Sequence, residues 1–248
     1  MFKKLSIAAA VVAAPFMLSM PAHATPVALE LQLLVDVSGS VDGNEYALQR
    51  TGYVNAFNNA GIQAAIAALA PQGGIAVSYV EWSGTTQQSV RVGWTQITDA
   101  ASAGAFATAI SGVTRAFSGN TAPGSAINFA TPLFLNNGFE GTRLVIDVSG
   151  DGAQNEGANT AAARDAAVLA GITINGLPIL GEAGLQAWYQ NNIVGGGGFL
   201  EVAANFTDFE TAVTRKIGRE ITQTPEPGTL ALLGIGLVGL GLSRRRKA

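Results

Sequence analysis

Four apolar, β-branched runs leave this chain few ways to fold: Leu29 to Val37, Ile75 to Trp82, Arg143 to Val148 and Ile172 to Ile179. Such runs suit strands buried on both faces. Helical patterns lie between them, and this alternation predicts a mostly parallel sheet with helices on both sides. The first run ends in Asp36-Val37-Ser38-Gly39-Ser40, so three oxygen-bearing side chains crowd one loop at a strand's carboxyl end. In an open α/β sheet, ligands bind at that edge.

The remaining pattern fills in the architecture. Glu45 to Leu69 reads as a helix weakened in its middle by Gly52 and Gly61, and Pro71-Gln72-Gly73-Gly74 ends it. Gln88 to Trp94 is a strand; the short link from Ser83 to Gln87 makes it the antiparallel edge partner of Ile75 to Trp82. Asp99 caps a helix reaching Gly112, and the polar turn Gly119-Asn120-Thr121-Ala122-Pro123-Gly124 opens another that runs to Leu135. Helices are expected over Glu156 to Ala170, Ala183 to Asn191 and Phe206 to Ile221, with a last strand at Phe199 to Ala203. The expected fold is therefore a doubly wound, six-stranded α/β sheet with one antiparallel edge strand.

Both ends read as processing segments. Met1 to Ala24 has Lys3 and Lys4, an apolar stretch and then Ala22-His23-Ala24, the pattern of a cleaved secretory signal. At the other end Thr224-Pro225-Glu226-Pro227-Gly228 precedes the apolar run Thr229 to Leu242 and the basic cluster Ser243-Arg244-Arg245-Arg246-Lys247. That run is shorter than the roughly 20 residues that span a bilayer comfortably, and its basic end belongs on the cytoplasmic side. Within it Gly234-Ile235-Gly236-Leu237-Val238-Gly239 spells a dinucleotide fingerprint, but no strand precedes it and no acidic residue follows at the required distance. The expected division is residues 1–24, 25–223 and 224–248.

Removing the ends sharpens the chemistry. Of 14 Lys and Arg, six lie in the end segments, whereas only Glu226 of the 17 Asp and Glu does; residues 25–223 hold 8 basic and 16 acidic groups. So acidic a domain is a poor match for nucleic acid. The chain has no cysteine, and its one histidine, His23, is lost with the leader. Histidine acid–base chemistry, a cysteine nucleophile and a Cys/His zinc site are thereby excluded. Asp36, Ser38 and Ser40, at i, i+2 and i+4, point the same way if the extended geometry persists. A carboxylate and two hydroxyls form a hard, oxygen-only set suited to Mg²⁺, Mn²⁺ or Ca²⁺ and poor for zinc; the plainer reading is a turn that caps the next helix.

Two further loops carry compatible oxygens: Thr121, and Asp151 in Ser149-Gly150-Asp151-Gly152. The set Asp36, Ser38, Ser40, Thr121 and Asp151 resembles the metal-ion-dependent adhesion site of von Willebrand factor A domains, and residues 25–223 resemble a bacterial branch of that family. The resemblance implies a site on the carboxyl edge of the sheet. Ser38 and Ser40 would bind the ion directly, Thr121 directly or through water, and Asp36 and Asp151 mostly through water. An acidic group on a protein or polysaccharide partner would complete the coordination. The C-terminal segment resembles the PEP-CTERM sorting signal of Gram-negative bacteria, which implies an exosortase-type enzyme as partner, a membrane stage before processing, and delivery to the outer surface or matrix.

Asp147 shares strand parity with Ser149 and Asp151 but lies deeper, so the metal role falls to Asp151. Ser125 and Asn120 stand beside Thr121 as supports, or Asn120 or Thr121 instead caps the helix, and Glu81 and Trp82 end a neighbouring strand where they could line the rim. A phosphatase reading would make Asp36 a nucleophile with Asp147 and Asp151 on Mg²⁺. It wants a second acid where Ser38 stands and a lysine for the phosphoryl group, and Lys216, the lone lysine of residues 25–223, sits in the last helix. A purely structural matrix protein is the third reading.

Overall fold

In the computed structural model, residues 24–223 are described. The expected leader and sorting segment lie outside the described residues. A five-stranded sheet runs in the order β4-β3-β2-β6-β7, built from β2 (Leu29–Asp36), β3 (Ile75–Trp82), β4 (Gln88–Ile97), β6 (Leu144–Gly150) and β7 (Ile172–Pro178). β2 pairs in parallel with β3 and β6, β6 pairs in parallel with β7, and β4 runs antiparallel on the outer edge of β3. The short link after Trp82 thus makes the hairpin expected of it.

β2 is buried along its whole length, and its side chains split by parity. Leu29, Leu31, Leu33 and Val35 face a core with Tyr53 and Phe57 of α1 (Gly43–Asn58), Phe106 of α3 (Ala100–Ser111), and Phe209, Val213 and Ile217 of α7 (Phe209–Thr222). Leu34 faces the other core, with Ile127 of α4 (Pro123–Ala130), Ala163 and Ala167 of α5 (Thr160–Leu169), and Tyr189 of α6 (Leu185–Asn192). Asp36 shares the parity of Leu34. Because β3 and β6 flank β2 on opposite sides, strand order reverses at β2, and its carboxyl end opens the crevice where such sheets bind ligands.

Several boundaries differ from the sequence reading for local reasons. The helix expected from Glu45 to Leu69 is two helices, α1 and α2 (Ala60–Ala68). Asn59 is extended at the junction, and its side-chain oxygen accepts from Gly61 N at 2.8 Å and Ile62 N at 3.3 Å, starting a new helix. Gly52 is a packing residue rather than a weak point: a Cβ there would lie 2.7 Å from Phe209 Cδ1. The strand expected at Phe199 to Ala203 survives only as isolated parallel bridges, Gly176 with Leu200 and Ile179 with Ala203. Gly196 and Gly197 hold φ of +64° and +77° in the turn just before it. A small parallel pair not anticipated from sequence joins β1 (Thr25–Val27) to β5 (Phe139–Gly141). The helix expected from Glu156 begins at Thr160, where Asn159 caps it, and this frees residues 151–159 to form a loop. Among the described residues no helix is long and apolar enough to cross a membrane.

Candidate metal centre

The site begins where β2 stops. Asp36 turns its carboxylate back on its own loop, and Oδ1 accepts the Ser38 amide at 2.7 Å. That turn throws Ser38 and Ser40 to one side, with their hydroxyls 3.2 Å apart. From the next loop Thr121 donates to Ser38 Oγ at 3.4 Å, and from the end of β6 Asp151 Oδ1 accepts Ser40 Oγ at 2.7 Å. All five side chains singled out in the sequence therefore meet in one cup. The capping reading of the Asp-x-Ser-x-Ser turn does not hold, because Asp42 caps α1 and forms a capping box with Glu45.

The cup is held from behind by residues that sequence reasoning missed. Arg115 donates to the Val37 carbonyl at 2.9 Å and the Ser38 carbonyl at 2.7 Å, and Gly39 N reaches Gly119 O at 2.7 Å. Ser83, just past β3, accepts from Gly119 N at 2.8 Å and donates to Asn120 O at 3.0 Å. Asn155 fixes Thr121 by accepting its amide at 2.8 Å. The one available clue was composition, since an arginine in so sparsely charged a domain needs partners nearby. Glu81 and Trp82 do not line the rim. Both are fully buried, and Glu81 accepts the Tyr46 hydroxyl at 2.7 Å and Ala116 N at 2.8 Å, anchoring the segment that leads to Thr121. Neither Asn120 nor Thr121 caps the helix, whose N-cap is Ala122 with no side-chain bond; Asn120 donates to Glu156 at 2.9 Å, and Ser125 Oγ accepts Ala158 N at 3.0 Å. Both help to hold the 151–159 loop over the site.

Asp147 is elsewhere. It pairs in register with Leu33 and so faces α7, across the sheet from Asp36, where its carboxylate meets the Lys216 ammonium.

The electrostatics are unbalanced in favour of a cation. Asp36 is fully buried and Oδ2 has no hydrogen-bond partner. Burial and then the nearby Asp151 carboxylate push its pKa from 3.8 to about 7, against the lowering effect of the Ser38 bonds and of Arg115. Burial likewise raises Asp151, which the Ser40 bond partly offsets. Among the described residues no lysine or arginine forms an ion pair with either carboxylate. Gly150 keeps the space open, for a Cβ there would lie 2.6 Å from Asp36 Oδ2 and 2.7 Å from the Tyr189 hydroxyl. Two carboxylates, three hydroxyls and an orphaned buried oxygen fit a hard divalent cation. No group of three or more His, Cys, Asp and Glu able to hold a metal occurs among the described residues, so the fit rests on hydroxyls. Beside the cup lies a groove of about 650 Å³, bordered by Glu45, Leu48, Asp151, Glu182 and Phe206.

This sheet, with these loops at its carboxyl edge, has the fold seen in solved structures that include a VWA domain. PTMP1, a proximal thread matrix protein from the mussel byssus, is 13% identical with a TM-score of 0.60, over 79% of this chain and 48% of that one. The pilus adhesin SpaC from Lactobacillus rhamnosus GG is 17% identical with a TM-score of 0.60, over 79% and 31%. The SpRpn10 VWA domain is 15% identical with a TM-score of 0.51, over 74% and 94%. The chain thus spans about half the length of PTMP1 and under a third of SpaC. A further PTMP1 structure, 14% identical with a TM-score of 0.56 over 78% and 46%, has a zinc-occupied MIDAS motif. No curated protein matches the chain. Residues 26–225 match DUF1194, a protein family of unknown function, and the chain belongs to that family. Residues 223–247 match the PEP-CTERM protein-sorting motif, as their order of Pro-Glu-Pro, apolar run and basic cluster led us to expect.

Proposed function

We propose that residues 25–223 form an extracytoplasmic binding module, not an enzyme, that uses a divalent cation held by Asp36, Ser38, Ser40, Thr121 and Asp151 to grip an acidic group on a partner. The observation that carries this reading is that Ser38, Ser40, Thr121 and Asp151, from three separate loops, are linked through their side-chain oxygens beside Asp36, whose fully buried Oδ2 has no partner. The bound cation would supply a Lewis-acidic point for the partner's carboxylate. The chain's own part is to present hydroxyls rather than several charged ligands, so that the ion keeps its positive character, and to fix them through Arg115 and Asn155. Mg²⁺ suits this donor set, with Mn²⁺ or Ca²⁺ as alternatives; the zinc in the MIDAS motif of PTMP1 makes Zn²⁺ a necessary competitor in any titration.

Glu45 and Glu182 border the groove, and a long polyanion would be repelled there. A single acidic group, on a protein or on a sparsely charged polysaccharide, fits better. Residues 1–24 would act as the export leader, and residues 224–248 would bring the chain to an exosortase-type enzyme in the membrane and then to the cell surface or matrix. Against the phosphatase reading, Lys216 is fully buried and paired on the opposite face of the sheet from Asp36, with no access to a phosphoryl group there.

Calorimetric titration of the purified protein with Mg²⁺ and Mn²⁺, alongside Asp36→Ala, tests the proposal. A one-site isotherm that the substitution abolishes is expected. Identical heats for the two proteins would remove its basis.

A further inference from the structure

On the face of the sheet away from the metal centre, α7 buries three ionisable side chains together. Lys216 is wholly inaccessible, as are Asp147 on β6 and Glu220 one helical turn further along α7. The Lys216 ammonium contacts Asp147 Oδ1, and Nζ donates to Glu220 Oε1 at 2.9 Å. Asn175, paired with Asp147 on the neighbouring strand β7, donates to the same Glu220 oxygen at 2.8 Å. Glu220 Oε2 and Asp147 Oδ2 are left with no partner. Two carboxyls and one amine are thus buried together, none of them exposed to solvent. Isolating such charges from water is expensive, and their mutual attraction rarely repays it in full.

We propose that this triad is a self-forming covalent cross-link, in which Lys216 Nζ and the Asp147 side-chain carboxyl condense to an amide with Glu220 as the proton relay. Nζ lies within proton-transfer reach of both carboxyls, and burial raises the pKa of each, so the first step passes a proton from the Lys216 ammonium to the Asp147 carboxylate and leaves an amine beside a carboxylic acid. The Nζ lone pair attacks Asp147 Cγ, and the carbonyl π pair moves onto oxygen. Glu220 accepts a proton from nitrogen and delivers one to the departing hydroxyl. The C–O bond breaks and one water leaves, so the products are an amide, a water and Glu220 in its starting state. No oxidant or cofactor is consumed. Two buried charges disappear in the process, which removes the desolvation penalty that the ion pair carries. In a chain without cysteine, this staple would join the last helix to the sheet as a disulfide does elsewhere.

Intact-mass spectrometry of the purified, denatured full chain tests the proposal, followed by tryptic mapping. The folded wild type is expected to be lighter than its sequence by one water, and residues 144–164 should appear joined to 216–219. Lys216→Met should show the full mass. Glu220→Gln keeps both reacting groups and the helix, as circular dichroism would confirm, and should show full mass or a slow loss of water. Should Lys216→Met fail to fold, the wild-type mass and Glu220→Gln decide the matter alone. A wild type at full mass, or a link that maps to any residue other than Asp147, would overturn it.

Discussion

Replacing Asp36 with Asn separates what the cup does for binding from what it does to stability. The carboxyl is fully buried beside Asp151, and its pKa rises from 3.8 to about 7. Between those values the folded chain keeps a proton that the unfolded chain has released, so stability falls as pH rises through the window and is lowest above it. At 1.36 kcal/mol per pKa unit the full effect is on the order of 4 kcal/mol. Asn keeps the oxygen that accepts the Ser38 amide and cannot ionise. In a metal chelator, Asp36→Asn should therefore match wild type near pH 4 and exceed it by up to about 4 kcal/mol near pH 8. Urea unfolding monitored by tryptophan fluorescence across that range measures the difference directly. With saturating Mg²⁺ the order should narrow or reverse, because only wild type gains from binding. Two curves that stay parallel from pH 4 to pH 8 would show that Asp36 is not a strained buried charge, and the argument for a cation there would lose its physical basis.

Gly150→Ala pushes a methyl into Asp36 Oδ2 and the Tyr189 hydroxyl, and should cost about 1–3 kcal/mol in urea while weakening Mn²⁺ binding in calorimetry. Phe209 packs edge-on against Tyr53 with centroids 5.5 Å apart, so Phe209→Ala should cost about 3–5 kcal/mol of unfolding free energy without altering cation affinity per folded molecule. Arg115→Lys cannot serve the Val37, Ser38 and Phe117 carbonyls together, and should lower stability by about 1–3 kcal/mol and cation affinity several-fold, read from the same two assays.

The strands were legible because they are buried on both faces, and a continuous apolar run has few other uses in a chain of this size. β2, β3, β6 and β7 fall within a residue or two of where hydrophobicity places them. What failed to show was decided by single polar residues acting locally: Asn59 breaking a helix, and Asn159 delaying the start of another to Thr160. The five residues of the cup could be picked out because each lies at the last residue of a strand, in a turn just past one or before a helix, where side-chain oxygens have few structural duties. Their supports could not, since Arg115, Ser83 and Asn155 act on backbone groups far away in sequence. Asp147 was ambiguous for a related reason. Parity placed it on a face but could not say that α7 supplies Lys216 to meet it.

A crystal of the protein soaked in Mn²⁺ and measured at the manganese absorption edge examines the central claim most directly. The account predicts one anomalous peak bounded by the hydroxyls of Ser38, Ser40 and Thr121 and the carboxylates of Asp36 and Asp151. A peak outside that cup, or none there at saturating Mn²⁺, would contradict it.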